Sequence, residues 1–368
     1  MKVILYIGHH KVGSTALQTF LAQNWHRLIQ AGILYPAVES RGFASTLARA
    51  LSGKDRAGEA DVNIREPHSA LAYKMMAEVS EHRKVPGQFR RLPASPQMLL
   101  AIQNQIRFLK PQTVILCSEA FANFGQVRPA LIETLTGIFP DAEFEVYCAL
   151  RRPDDYLISW HGQRLKVGEK LPSLRDGGAV SYYDNIHFNF RTVVESWADL
   201  VPGVRLMLRP YDAILAAGGS TQDFMIQAGA DFPDGLIPAG RANPSLPRAA
   251  MEIARRGNHE LPPEPAQALR QHLLELPAEQ VPVPNRDVEM FGAALRGELA
   301  ERFAPIHTYL SERIGQPAFF RDLAELSRPR PVPEAEAVAA LLERLAARPP
   351  ADPALASYLD SLRRDYAA

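Results

Sequence analysis

Two cysteines in 368 residues are too few for a disulfide framework. Cys117 and Cys148 both fall inside apolar, strand-like runs and show no zinc-ligand spacing, so they read as buried thiols of a reducing compartment. Bulk charge is also missing. Lys+Arg and Asp+Glu stand at 41 each, so the chain lacks the basic field by which a nucleic-acid binder is recognised. No nucleic-acid partner is expected, although a local basic groove stays open. No apolar stretch approaches the length of a membrane span, so no stable membrane insertion is expected. The opening run KVILYIG is too short for the apolar core of a signal peptide. Together these absences make a cytoplasmic location the expectation. What remains is ordinary for a globular chain: 46% apolar and 22% charged residues, at a length that can bury a sizeable core.

Residues 2–7 form a short continuous apolar run, the pattern of a strand covered on both faces. A helix is predicted from Ser14, with Ala16, Leu17, Phe20, Leu21, Trp25, Leu28 and Ile29 at helical spacing and Gly32 just past its end. GILYP, TVILCS, EFEVYCAL and GVRLMLRP read as further strands; PDDYLISWHGQRLK and FNFRTVVESWADLV read as helices. Strands alternating with helices predict an α/β fold, a parallel β-sheet flanked by helices. Residues 40–110 read as a helical insertion, in which KVPGQFRRLPASP is a loop or flexible lid. Strand signals stop after residue 212. The expected division is a main domain over 1–325 and, over 326–368, a proline-rich linker with C-terminal helices at 333–347 and 353–366. In open α/β sheets the ligand-binding groups sit on the loops that follow the strands.

The first such loop is Gly8-His9-His10-Lys11-Val12-Gly13-Ser14-Thr15. Its glycines permit close approach and unusual backbone angles. The helix behind it aims unpaired N–H groups and a positive dipole end at the loop. Lys11 adds a full charge, and Ser14 and Thr15 add hydroxyls, so the loop suits a dianion. It is not the triphosphate loop G-x-x-x-x-G-K-[ST], because Ser14 stands where that lysine belongs. The competing reading is a glycine turn that starts a helix and holds no ligand.

HHKVGSTALQTFL resembles the 5′-phosphosulfate loop of sulfotransferases that use 3′-phosphoadenosine 5′-phosphosulfate (PAPS), which runs roughly Pro-Lys-x-Gly-Thr-Thr. Lys11, Gly13, Ser14 and Thr15 match, and His10 departs from the common proline. The family's 3′-phosphate motif, Arg-x-Pro-x-Asp-x-x-x-Ser, is similar to RRPDDYLIS, with Arg151, Pro153, Asp155 and Ser159 in register. An arginine at a strand end can grip a phosphate with two N–H groups. Tyr211, followed by Asp212, matches an aromatic that packs near the adenine in this family. Its Arg-Lys-Gly segment is not visible, and Arg241 in GRANPSLP is the substitute considered. The resemblance covers residues 1–215. It implies a P-loop-like sulfotransferase fold, and GILYP, SEAF and RRPDDYLISW look most like bacterial enzymes that modify glycans or cell-surface polymers.

The resemblance implies transfer of a sulfuryl group from PAPS to a hydroxyl or amine of an acceptor, with no metal. Cofactor contacts would come from Lys11, Val12, Gly13, Ser14, Thr15, Arg151, Ser159, Tyr211 and Arg241. Lys11 would stabilise the leaving oxygen. Glu119, directly after TVILCS, is the first candidate for the base; burial would raise its pKa and a nearby lysine would oppose that shift. Its other reading is a carboxylate at a helix start. His10 is the second candidate, and His161, in a helix beside Trp160, is a packing or acceptor-contact residue. No histidine pair shows metal-ligand spacing. Two alternatives stay open: a nucleotide-dependent kinase with a degenerate loop, and a non-catalytic module that binds a nucleotide or glycan. Residues 40–110 and 160–190 would line an acceptor pocket, without a readable code for the acceptor.

Overall fold

The computed structural model describes residues 1–52, 61–89, 91–240 and 245–367. The chain forms two compact units, each assembled from three stretches. The first comprises Met1–Arg151, Asn189–Ala242 and Tyr309–Phe319; the second comprises Arg152–Phe188, Asn243–Thr308 and Phe320–Ala368.

The first unit is built on a five-stranded, wholly parallel sheet flanked by helices, with strands β1 (Lys2–Tyr6), β2 (Ile33–Leu34), β3 (Thr113–Cys117), β4 (Glu143–Leu150) and β5 (Arg205–Pro210) in the spatial order β2-β3-β1-β4-β5. The apolar runs of the sequence explain the centre of this sheet. Every residue of β3 is buried, as are Val3 to Tyr6 of β1, because helices cover both faces. Tyr6 aligns with Cys117 on one side and Tyr147 on the other, so β1, β3 and β4 deliver their C-terminal ends to one edge. From β1 the chain runs out to β2, whereas from β4 it runs to β5 on the opposite side. The point where these connections diverge, between β1 and β4, is where open α/β sheets leave a crevice for ligands.

Two expectations need correction. The helix predicted to run from Ser14 to Ile29 is two helices, Ser14–Gln23 and Trp25–Gln30. Asn24 interrupts it by turning its side chain to the backbone of Ile237, accepting at 2.8 Å and donating at 2.8 Å. Strand structure also does not end at residue 212. In the second unit β6 (Val288–Glu289) pairs with β7 (Val332–Pro333) in parallel, a ladder too short to leave any periodicity. The remainder of the second unit is largely helical. Helix Pro153–Lys166 packs on helix Arg248–Glu260, which also carries helix Glu334–Ala347. No helix among the described residues is long and apolar enough to cross a membrane.

Candidate functional site

The loop after β1 is fixed by its neighbours before any ligand is considered. Ile7 and His9 N–H groups donate to Tyr147 and Ala149 carbonyls of β4 at 2.9 Å, extending the β1–β4 ladder into the loop. Gly8 lies so close to β4 that a Cβ there would sit 2.8 Å from the Ala149 nitrogen. His9 is buried against Phe190, ring centroids 4.2 Å apart. Lys11 then adopts a left-handed φ of 61°, which costs a non-glycine residue about 1–2 kcal/mol. Gly13, at φ 89°, is the residue before the Ser14 helix, and no side chain caps that helix. Left-handed residues at 11 and 13 curl the backbone, and such curls gather successive N–H groups toward one point. Val12 is fully buried.

Glu119 stands beside this loop, at the exit of β3. Its carboxylate is 3.6 Å from His10 Nδ1, a separation longer than a hydrogen bond. Burial alone would push its pKa up; the His10 imidazole, its own backbone N–H and the Ser14 hydroxyl outweigh burial and hold it below the usual carboxylate range. The expected balance is therefore corrected in direction: opposing groups win, and His10 leads them.

Sequence reasoning missed the polar network behind Glu119. Gln18, one turn after Ser14 and fully buried, donates to Ser69 Oγ at 2.9 Å, to the Cys117 carbonyl at 3.0 Å and, at 3.4 Å, to Glu119. Ser69 and Ser118 hydroxyls lie 2.9 Å apart, and Ser118 caps the turn that begins at Glu119 by accepting from Ala120 N–H. The only sequence signal for Gln18 was a polar residue on an apolar helix face, where a buried amide must find partners.

At the end of β4, Arg151 sits over the Tyr211 ring, 5.3 Å from its centroid. These two predicted cofactor residues therefore meet, Tyr211 being the first residue of the helix after β5. Among the described residues no carboxylate pairs with Arg151. Ser159 is half-buried, two turns into its helix in the second unit. His161 lies in the same helix, buried, with Nδ1 3.0 Å from the Tyr182 hydroxyl; burial first, then the charges of Arg164 and Arg255, lower its pKa to about 4. It is a packing residue. Arg241 lies outside the described residues.

Compared with known proteins, the chain matches no family model, no curated protein and no solved structure.

Proposed function

We propose that the chain is a PAPS-dependent sulfotransferase of P-loop-like fold whose cofactor loop is residues 8–15, acting on a glycan or other hydroxyl-bearing acceptor. The observation that carries this reading is a lysine three residues before an uncapped helix start, in a left-handed turn at the β1–β4 divergence of a parallel sheet. Helix N–H groups and Lys11 would hold the 5′-phosphosulfate. Arg151 would grip the 3′-phosphate while Tyr211 backs the adenine.

In the reaction the acceptor oxygen attacks sulfur as the bond from sulfur to the bridging 5′-phosphate oxygen breaks. The SO₃ group moves to the acceptor, adenosine 3′,5′-bisphosphate leaves, and the acceptor proton passes to a base. Lys11 stabilises charge on the leaving oxygen, and catalysis is otherwise a matter of placement and fixed dipoles. A Glu119 carboxyl held ionised by its neighbours is a weak base. It suits instead the orienting role beside His10, whose Nε2 takes the proton while Glu119 faces Nδ1.

The test is incubation with ³⁵S-labelled PAPS and a glycan panel in the presence of EDTA. Label should appear on an acceptor with wild-type protein and disappear with Lys11→Ala. Equal labelling by Lys11→Ala would remove the basis of the reading.

One observation favours a second reading. A carboxylate at a strand end whose ionisation the first hydroxyl of the loop helix favours is also the kind of pair that holds magnesium in triphosphate-dependent phosphotransferases. Absolute dependence on magnesium and ATP would select it.

A further inference from the structure

A second Gly-Ser-Thr stretch, residues 219–221, stands against the first, residues 13–15. Both open helices, both glycines have positive φ (89° and 103°), and no side chain caps either start. The Ser220 hydroxyl donates to the Gly13 carbonyl at 3.0 Å. A side chain on Gly13 would strike Ser220, with its Cβ 2.8 Å from that of the serine. The helix that carries Ser220 is a fixed strut. Asp223, fully buried, accepts from the Tyr147 hydroxyl and from Arg209 at 2.6 and 3.1 Å, which bolts the helix to β4 and β5. Just past its far end, Gly229 N–H donates at 3.0 Å to Glu145, itself paired with Lys2 and Arg205.

The consequence lies in the peptide joining Gly13 to Ser14. In a planar trans peptide the N–H points opposite to the carbonyl. Fixing the Gly13 oxygen therefore fixes the direction of the Ser14 N–H. Within the helix that oxygen accepts only from Leu17 N–H, at 3.2 Å, and glycine has no side chain to resist rotation of the peptide. We propose that Ser220 is a positioning residue of the anion loop, locking the Gly13–Ser14 peptide so that the Ser14 N–H faces the bound phosphate. This assignment rests on the phosphate-loop reading above.

The experiment is calorimetric titration of adenosine 3′,5′-bisphosphate and of inorganic pyrophosphate into wild-type, Ser220→Ala and Ser220→Thr protein, with the Ser14 amide followed by ¹⁵N NMR. Ser220→Ala should weaken both probes about fivefold, the equivalent of one neutral hydrogen bond. The shift of the Ser14 amide on binding should shrink with it, and Ser220→Thr should restore both. Should Ser220→Ala not fold, Ser220→Cys, a weaker donor of similar size, carries the same comparison. Unchanged affinity in Ser220→Ala, or a Ser220→Thr as weak as Ser220→Ala, overturns the assignment and leaves the loop reading standing. Wild-type protein that binds neither probe overturns both.

Discussion

Arg151 and Arg152 are neighbours in the chain with opposite surroundings. Arg152 is buried and donates to Asp154 at 2.7 Å, to Asp155 at 3.4 Å and also to Asp322. Asp154 in turn meets Arg296 at 3.3 Å, and Arg296, wholly buried, donates to Glu289 at 2.7 Å and to the Leu326 carbonyl at 3.1 Å. Glu289 also accepts from the Phe291, Gly292 and Arg330 N–H groups. The charges of this cluster thus pair with one another. At the end of β4, by contrast, Arg151 meets an aromatic face and no carboxylate among the described residues. The difference separates two uses of arginine. One completes an internal lattice; the other has a guanidinium available to a ligand.

The comparison breaks most visibly if the lattice is opened. Asp154→Ala takes one carboxylate from the buried Arg296 and Arg152, which keep Glu289, Asp155 and Asp322, and loss of one partner from a buried ion pair costs at most about 3–5 kcal/mol. Urea unfolding should show that loss, whereas Arg151→Ala should change stability by less than about 1 kcal/mol. Equal losses from the two variants would erase the distinction.

Acid should test both units through one histidine each. Burial lowers His68 to about 3, and burial with neighbouring cationic charge lowers His161 to about 4, from an ordinary value near 6.5. Because the unfolded chain takes up these protons first, stability falls as pH drops below about 6.5, until about pH 4 for His161 and about pH 3 for His68. At about 1.4 kcal/mol per unit each contributes on the order of 3–5 kcal/mol. Glu119 acts lower: its depressed pKa adds stability above the unfolded carboxylate range, lost only as pH falls through the folded value. Melting curves of His68→Gln and His161→Gln between pH 7 and 4 should each be flatter than wild type. A slope unchanged in both would show that neither imidazole is kept neutral.

A smaller effect belongs to Arg151 itself. If Arg151 grips the 3′-phosphate as proposed, its removal takes away a charge-assisted contact of about 1.5–3 kcal/mol. Affinity for adenosine 3′,5′-bisphosphate should drop roughly tenfold or more, and affinity for adenosine 5′-phosphate should hardly move. Equal losses for both nucleotides would place Arg151 away from the 3′ end.

What was legible in the sequence was local. The apolar runs of β1, β3 and β4 and the glycine turn before Ser14 are encoded within a few residues of where they act. The break at Asn24 was not legible, because it depends on Ile237, far along the chain. Ser220 was hidden for the same reason, its partner being Gly13. The second unit gathers three distant stretches, and its closing contacts, such as Arg296 with Asp154, carry no spacing that a motif could capture. For Glu119 the position was legible but its ionisation was not, since that depends on which groups the fold brings within reach.

The central claim is that residues 8–15 hold the phosphate end of a PAPS-like nucleotide without a metal. Its most direct measurement is calorimetric titration of adenosine 3′,5′-bisphosphate into wild-type and Lys11→Ala protein in EDTA, beside ATP with magnesium. The account predicts metal-free binding of the bisphosphate that Lys11→Ala weakens by tenfold or more, as loss of a charged contact would. Binding of magnesium–ATP alone, or bisphosphate binding indifferent to Lys11, would contradict it.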